Sequence, residues 1–444
     1  MNIHPSGYDR SVTFSQLLQI NGVSPLAAAH CESRTAMDSP PSFPPSRFTA
    51  LRRLAGAKPA LYARTRNQVN GAVTLLGPYF THGLITLYEA FEYLRFRHGL
   101  TLRDKLPAEL AWRSFFHETW QEHGNRIFEP IHEAPLTARH LRALPADIRV
   151  GATGVRVIDA SIRQLYETGY LHNHQRLWLA SYCIHYRKVD WRLAAGWLYG
   201  HLLDGDLASN FLSWQWVAGC FSSKPYLFDA ENVLRFAPGL ASAGTWIDRP
   251  RAELEAIARG RDDIGPEPGL HRGVSEPPLL TRPPGQTRPR DFMPLFSGRR
   301  VTLVHPWSLT RPRDASIAIG VILLPFHTRH PWSRQRWDFV MSRMEEICDA
   351  VWIGDLRRLG ELAVRCERLA ARPTLSDGYR EAFAALGTTP LAVTPMLPRP
   401  PRPGRSFSAY MKQLRRIAPQ LFESVASAPR RTKLHRHEDE HNAP

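Results

Sequence analysis

The sequence predicts a mainly α-helical protein that ends in a small α/β domain. Between residues 46 and 238 nearly every segment has helical periodicity, with Ile162, Leu165 and Tyr166 at the i, i+3, i+4 spacing of a buried helix face. After residue 296 short apolar runs alternate with helical segments, which is typical of α/β structure. The fold class predicted is therefore mainly α, followed by a small α/β C-terminal domain.

The connecting segments set the predicted domain boundaries. Residues 1–45 are rich in Ser and Pro and are expected to form a disordered arm. Residues 46–245 form the helical domain, and residues 246–296, rich in Arg, Pro and Gly, form a linker. The α/β domain covers 297–428, and a His-rich tail at 429–444 is expected to be disordered.

The α/β domain is predicted from runs of two kinds. Short apolar runs indicate strands and longer periodic runs indicate helices. The apolar runs lie at 301–304, 317–324, 350–353 and 391–393, and the helices at 334–349, 356–371 and 410–424. Neither G-x-G-x-x-G nor G-x-x-x-x-G-K-[ST], the two phosphate-binding glycine motifs, occurs in this part of the sequence.

Composition narrows the functional classes. The formal net charge of +16 favours a polyanionic partner such as DNA, RNA or a membrane surface. The cysteines are far apart and contain no C-x-x-C pair, which argues against a disulfide scaffold or a zinc site and favours the cytoplasm. The longest apolar run, 316–326, is shorter than the roughly 20 residues that span a bilayer, so we expect a soluble protein.

The segment 151–225 carries chemistry that an ordinary helical core does not need. It places Asp204-Gly-Asp206 close to Asn210, and Trp214-Gln-Trp216 directly afterwards, within largely apolar helical sequence. A flavin that holds a negative charge and exchanges single electrons would use carboxylates, an amide and indole rings together. This segment predicts a flavin site.

Several blocks of the sequence, in order, resemble the FAD-binding helical domain of the DNA photolyase/cryptochrome family. The resemblance covers roughly residues 46–235 and implies a helical photolyase-type FAD-binding domain. The blocks are GATGVRVIDASIRQL from Gly151, YLHNHQR from Tyr170, Asp190-Trp-Arg192, LDGDLASN from Leu203 with Trp214-Gln-Trp216, LGPY from Leu76 and ELAWRSFF from Glu109.

The family normally begins with a large parallel α/β domain that carries a light-harvesting antenna, whereas only the short arm precedes the helical part of this sequence. The resemblance is therefore to a shortened form that lacks the N-terminal antenna domain, and we expect no antenna chromophore. The α/β region after residue 296 is either a small replacement for that domain or an unrelated one.

The resemblance implies a set of FAD-binding residues. Arg176 and Asp204 would form an ion pair beside the flavin ring, and Asn210 would lie opposite flavin N5, although a surface ion pair and a helix-capping Asn are the plainer readings. The expected FAD-binding residues are Tyr62, Arg66, Thr74, Asn173, Arg176, Asp204, Gly205, Asp206 and Asn210. At the turn before Pro78 this sequence has Gly77 where the family has Ser, and backbone N–H groups can replace the lost hydroxyl.

The residues expected to take part in the reaction are Trp214, Trp191, Asn210 and Glu109. Trp214 and Trp191 resemble the first two members of the family's electron-transfer chain, whereas the third falls near Ala138, where no Trp is close. The chain then ends at Trp191 or uses Trp178 or Trp197, unless these rings are only core packing.

On the substrate side, the residues expected to contact a flipped DNA lesion are Glu109, Trp112, Arg113, Phe116, Asn173, His174 and Trp216. Flat aromatic faces suit extruded bases. His174 stands where the family motif has Arg, which removes a fixed positive charge. No metal site is predicted.

Two functions remain open at this point. One is a photolyase-like lyase that uses light-driven electron transfer from reduced FAD to a cyclobutane pyrimidine dimer in DNA. The other is a cryptochrome-like blue-light sensor or flavoprotein binding module without repair activity, and a helical relic that has lost the flavin is a third possibility.

Overall fold

The computed structural model describes residues 41–133, 140–222, 224–285, 291–314, 316–401 and 404–424. Most of the predicted arm and the whole predicted tail lie outside these residues. The helices described here are α1 (Arg47–Ala55), α2 (Pro59–Thr65), α3 (Gly77–Thr81), α4 (Leu87–His98), α5 (Lys105–His123), α6 (Ala146–Arg149), α7 (Arg156–Thr168), α8 (Asn173–Ser181), α9 (Trp191–His201), α10 (Leu207–Ala218), α11 (Ala230–Phe236), α12 (Arg251–Arg259), α13 (Met293–Phe296), α14 (Leu324–Arg329), α15 (Arg334–Ile347), α16 (Gly360–Ala363), α17 (Tyr379–Ala385) and α18 (Phe407–Ile417).

Among the described residues from 46 to 238, every regular element is a helix, as the periodicity predicts. Local signals define the ends. Helix α4 begins at a capping box in which Thr86 and Glu89 satisfy each other's backbone N–H groups, and Gly99 ends it with φ 64°. Helix α8 continues into a π-helical turn at Tyr182–Tyr186. The apolar faces of α7 to α10 pack together, and α8, α9 and α10 form part of the wall of the site described below.

The α/β region forms one parallel sheet of five strands in the order β3-β2-β1-β4-β5. The strands are β1 (Arg300–Val304), β2 (Ile317–Leu323), β3 (Ala350–Gly354), β4 (Arg368–Ala371) and β5 (Thr389–Pro390). Val301 of β1 lies between Ile317 and Leu369 of its two neighbours. The central strands are buried on both faces, as a covered parallel sheet requires. The predicted fold class is confirmed.

Three details of the α/β prediction were wrong. The predicted helix 356–371 is a 3₁₀ turn at Leu356–Leu359, the short helix α16 and then strand β4. Arg368–Ala371 pairs with β1, and this pairing decides its structure. The strand predicted at 391–393 lies instead at β5, two residues earlier, and helix α17 was missed.

The two domains share one continuous hydrophobic core. The loop after β1 docks on the helical domain, where the Leu309 N–H donates to the His82 carbonyl at 2.9 Å and the Thr310 hydroxyl donates to the Gly83 carbonyl at 2.6 Å. The predicted linker also packs against the α/β domain, because Leu280 and Trp332 exchange two backbone hydrogen bonds of 2.7 and 3.0 Å.

The C-terminal helix α18 returns to the helical domain and packs on α4 and α5. A second apolar cluster joins Tyr410 and Leu414 of α18 to Phe91 and Phe115. The ion pair between Arg399 and Glu118, 2.9 Å, lies at the same contact. Within the described ranges, no helix has the length and apolar character needed to cross a membrane.

Candidate cofactor-binding site

A cavity of about 490 Å³ opens into the helical domain. Its walls come from α2, α5, α8, α9 and α10 and from the turn before α3. It gathers most of the residues that the sequence singled out, namely Tyr62, Arg66, Thr74, Glu109, Trp112, Arg113, Phe116, Asn173, Arg176, Asp204, Asp206, Asn210, Trp214 and Trp216. A volume of this size and a mixed apolar and polar lining are typical of a small-molecule site.

An ion pair lies at the inner wall. Arg176 of α8 donates from one Nη to both carboxylate oxygens of Asp204, at 3.0 and 2.9 Å, and from Nε to the Leu171 carbonyl at 2.9 Å. Burial by itself lowers the pKa of Arg176, but the Asp204 carboxylate raises it above the usual value. Since both side chains are mostly buried, the pair is a fixed part of the cavity wall and not a surface contact.

Asp206 is held by a second set of charges. Its carboxylate lies 3.2 Å from a guanidinium nitrogen of Arg113 and 2.9 Å from Nε2 of His117, and it accepts the Ser209 N–H that begins α10. Burial alone raises the pKa of Asp206, yet Arg113 and His117 hold it well below its usual range. The positive charge of Arg113 is therefore paired with the carboxylate of Asp206 at the inner end of the cavity.

The turn before α3 has unpaired backbone donors beside the cavity. Among the described residues, no acceptor is paired with the backbone N–H groups of Thr74, Leu75, Leu76 or Gly77, and all four residues line the cavity. Leu75 has φ 53°, a conformation that costs about 1–3 kcal/mol for a residue with a side chain and that clusters at ligand sites.

The glycine at position 77 has a steric reason. A Cβ at this position would press against the carboxylate of Asp204, which Arg176 holds in place. The departure from the family pattern at this turn therefore matches the close approach of the Asp204 side chain to the backbone.

Asn210, Trp214 and Ser209, all on α10, complete the inner lining. Asn210 donates from Nδ2 to the Ala195 carbonyl at 2.9 Å, which fixes the orientation of its amide. One turn along the same helix, Trp214 lines the same cavity, as their spacing predicts. The Ser209 hydroxyl is buried and has no partner among the described residues.

The mouth of the cavity has a different character. Glu109 lies 3.5 Å from Arg66 and its side chain is 45% exposed. Burial raises the pKa of this carboxyl above its usual value, and the charge of Arg66 opposes the shift. Trp112, Phe116 and Trp216 supply aromatic surface nearby.

One face of Trp112 is already covered within the chain. Phe407 of α18 stacks on it with the ring centroids 3.9 Å apart and the planes 13° apart. Phe407 does not line the cavity, so Trp112 keeps its remaining surface for a ligand. Sequence reasoning missed this contact because Phe407 lies far away in the chain and carries no motif.

Three predicted site residues lie outside the cavity lining. His174 packs against Phe236, with ring centroids 4.6 Å apart, and burial lowers its pKa to about 4. This position does not support a role in lesion binding. Gly205 does not line the cavity, and its carbonyl accepts a hydrogen bond from Arg336. Trp191 lies in the core against Phe211, with ring centroids 6.2 Å apart.

Trp178 and Trp197, the two rings that could replace the missing third relay residue, are also buried. The indole N–H of Trp178 donates to Asn232 and that of Trp197 donates to Glu276. Ala138, the position where the third residue would fall, lies outside the described residues.

The sequence also missed part of the lining. Tyr170, His172, Leu198 and Leu202 face the cavity. Leu198 and Leu202 are one helical turn apart, a signal that identifies an apolar face but does not distinguish a core from a cofactor wall. In the ranges that the structure describes, no group of three potential metal ligands occurs.

Comparison with known proteins now identifies this region. Residues 106–261 match the model of the FAD binding domain of DNA photolyase. The helical domain is therefore similar to the FAD binding domain of DNA photolyase. The resemblance drawn from the motifs is thereby confirmed for this part of the chain, and the matched residues include most of the cavity wall.

Relatives from both branches of the family are similar to this chain. It is 30% identical over 196 residues to the deoxyribodipyrimidine photo-lyase of Agrobacterium fabrum, covering 42% of this chain and 40% of the relative. It is 34% identical over 187 residues to cryptochrome DASH of Natronomonas pharaonis, covering 39% and 38%. The chain therefore spans less than half the length of these two relatives.

Among solved structures, the cryptochrome of Synechocystis matches with a TM-score of 0.42 at 21% identity, covering 51% of this chain and 53% of that one.

The residues of this photolyase-type domain fit FAD. Unpaired backbone N–H groups at Thr74–Gly77 are suited to a diphosphate, and the Arg176 guanidinium to an electron-rich ring. The aliphatic wall of Leu198 and Leu202 suits a flat aromatic ring system.

Proposed function

We propose that this protein is an FAD-dependent, photolyase-like enzyme that acts on a cyclobutane pyrimidine dimer in DNA. The observation that carries the proposal is that one cavity holds both the inner Arg176–Asp204 pair and the aromatic mouth formed by Trp112, Phe116 and Trp216. A flavin and an extruded pair of bases would thus lie against each other in one space.

Arg176, Asn210 and the Thr74–Gly77 turn would hold FAD, which in its reduced, light-excited form would supply the electron that opens the dimer ring and would recover it afterwards. The chain's own residues prepare the inner end for that chemistry. Arg176 places a pinned positive charge at the wall, and the neutral amide of Asn210 offers an acceptor where a carboxylate would repel a negative ring. Trp214, which lines the cavity, and Trp191, which does not, are both buried, oxidisable rings that can bring electrons toward the cavity.

The mouth supplies the substrate contacts in this proposal. Stacking on an aromatic side chain is worth about 1–3 kcal/mol per base and tolerates any base sequence. Glu109 lies where it can hydrogen-bond the polar edge of an extruded base, and its raised pKa favours the protonated, donating form more than in an ordinary glutamate. The net charge of +16 supports attraction to DNA.

The test uses the full chain purified with its cofactor. Its visible spectrum is recorded, and it is then given a thymine-dimer oligonucleotide under blue light with a reductant. We expect a yellow protein that restores the undamaged bases only when illuminated. A yellow protein that never repairs the dimer would reject the enzyme and leave the sensor, and a colourless one would reject both.

A second candidate function, a light sensor without repair, is favoured by the stack between Phe407 and Trp112. That contact removes one face of a ring that a lesion would use. The position of His174, away from the cavity, points in the same direction because the substrate side then lacks a cation from this helix.

A further inference from the structure

A guanidinium from the α/β domain lies directly behind the Asp204-Gly205-Asp206 turn. Arg336 of α15 is wholly buried and donates from Nη2 to the Gly205 carbonyl at 2.6 Å. Its Nη1 donates to the Tyr199 carbonyl at 3.2 Å. Residue 336 lies outside the matched range 106–261, so a different domain supplies this contact to the cofactor motif.

Packing fixes the guanidinium in this position. Its carbon lies 3.9 Å from the centre of the Trp332 ring and 4.7 Å from that of Tyr199. A Cβ on Gly205 would lie only 2.5 Å from Nη1 of Arg336, so the turn and the side chain fit closely together. The glycine between the two aspartates is thus matched to this arginine.

Charge makes the contact more than a structural one. Asp204 is paired with Arg176, and Asp206 is paired with Arg113. In the part of the chain that the structure describes, no carboxylate lies within ion-pair distance of Arg336, and its Nε has no hydrogen-bond partner. Since Arg stays protonated in proteins, this group adds an unbalanced positive charge behind the motif.

Burial lowers the pKa of Arg336, and among the groups that oppose this shift are Tyr199 and the carboxylates of Asp204 and Asp206. The nearby imidazoles of His82 and His327 have lowered pKa values and are neutral, so they add no competing charge. A buried cation without a partner is costly, and that cost falls when an anion occupies the adjacent cavity.

We propose that Arg336 is a positioning residue for the flavin site: it holds the 204–206 turn in place and stabilises the negative charge of reduced, bound FAD. This inference rests on the proposed binding of FAD. It predicts that the α/β domain tunes the cofactor without touching it, and that the two domains act as one unit in redox chemistry.

The test compares Arg336→Met and Arg336→Lys with Arg343→Met. Arg343 lies on the same helix, is 7% exposed and also donates to a backbone carbonyl, that of Leu309, but it is paired with Glu346 and does not contact the motif. The measurements are the midpoint reduction potential of bound FAD, the FAD dissociation constant and the urea stability of the FAD-free protein.

We expect Arg336→Met to lower the midpoint potential and to weaken FAD binding by about tenfold. Arg336→Lys should keep most of the potential but still bind FAD more weakly, because it retains the charge and loses one of the two fixed donors. Arg343→Met should change only the urea stability.

A wild-type midpoint potential in Arg336→Met, or an equal shift in Arg343→Met, would overturn the assignment while leaving FAD binding intact. If Arg336→Met does not fold, Arg336→Lys carries the same test through its unequal effects on potential and affinity. A wild-type protein that binds no FAD would instead overturn the proposed function, and this inference with it.

Discussion

The inner end and the mouth of the cavity are built from different interactions. At the inner end, Asp204 and Asp206 are paired with guanidinium groups and lie on the turn between α9 and α10. At the mouth, Glu109 is 45% exposed and the surrounding surface is mainly aromatic. The inner end is therefore fixed before any ligand binds, whereas the mouth is formed by ring surfaces that already contact other parts of the chain.

The largest expected effect breaks the inner end. Replacing Arg176 with Leu leaves the Asp204 carboxylate in a wall without its partner, and a charge-assisted hydrogen bond is worth about 1.5–3 kcal/mol. FAD binding should weaken by about a hundredfold, measured by fluorescence of released flavin. A matched control is Arg192→Leu, since Arg192 is paired with Glu129 on the surface. Equal FAD retention in both variants would show that the inner pair is not part of the binding site.

The next effect separates the mouth from the inner end. Trp112→Ala should weaken binding of a dimer-containing oligonucleotide by about ten- to a hundredfold, because it removes a stacking surface worth about 1–3 kcal/mol. FAD content should stay unchanged. Phe407→Ala sharpens the comparison, since it frees the covered face of Trp112. Tighter binding by Phe407→Ala would mean that α18 competes with DNA, and weaker binding would mean that it supports the ring.

A third test concerns electron supply to the inner end. Trp191→Phe removes an oxidisable indole but keeps an aromatic ring against Phe211, so the core should remain packed. Photoreduction of bound flavin should slow. Its rate is measured as the loss of visible absorbance under blue light. Trp120→Phe is the control, because Trp120 is equally buried but packs against His117 on α5. An unchanged rate in Trp191→Phe would remove this residue from the relay.

The smallest expected effect is that of changing Glu109, and it is best measured beside Asp206, a carboxylate of the opposite kind. Burial raises the pKa of Glu109 above its usual 4.5, so its ionised form is disfavoured in the folded state and its protonation on acidification favours folding. The pKa of Asp206 is lowered, so its stabilisation is present above 3.8 and is lost only as the pH falls through its lower, folded-state value.

Glu109→Gln should therefore raise the free energy of unfolding at pH 7 by less than about 1 kcal/mol, because the exposed side chain is screened by solvent. Asp206→Asn should lower it by about 3 kcal/mol, since the variant leaves the Arg113 charge unpaired. Urea titrations between pH 4 and 7 measure both. The same sign of change in the two variants would contradict the contrast between the two ends.

Motif and periodicity were sufficient for the inner end. The segment from Leu203 to Asn210 predicted that Asp204 and Asn210 belong to one site, and both line the cavity, since they are neighbours in the chain at a helix start. The helical domain and the central strands followed from hydrophobic pattern alone. The prediction failed at 356–371, where pairing with β1 imposes a strand on a segment of helical composition.

The contacts between distant segments could not be predicted. Phe407 contacts Trp112, and Arg336 contacts Gly205. In each pair, more than a hundred residues of sequence separate the two partners. Neither residue carries a motif, and an arginine in an amphipathic helix is usually a solvated side chain. Only the packing of one domain on the other turns them into parts of the site.

The shared core of the two domains has a practical consequence for work on the flavin site. Cutting the chain before β1 would uncover the helical-domain side of a hydrophobic interface that Trp332 and Phe339 now fill. Newly exposed apolar area of this kind favours aggregation and proteolysis. A truncated flavin domain should therefore express poorly and lose its cofactor.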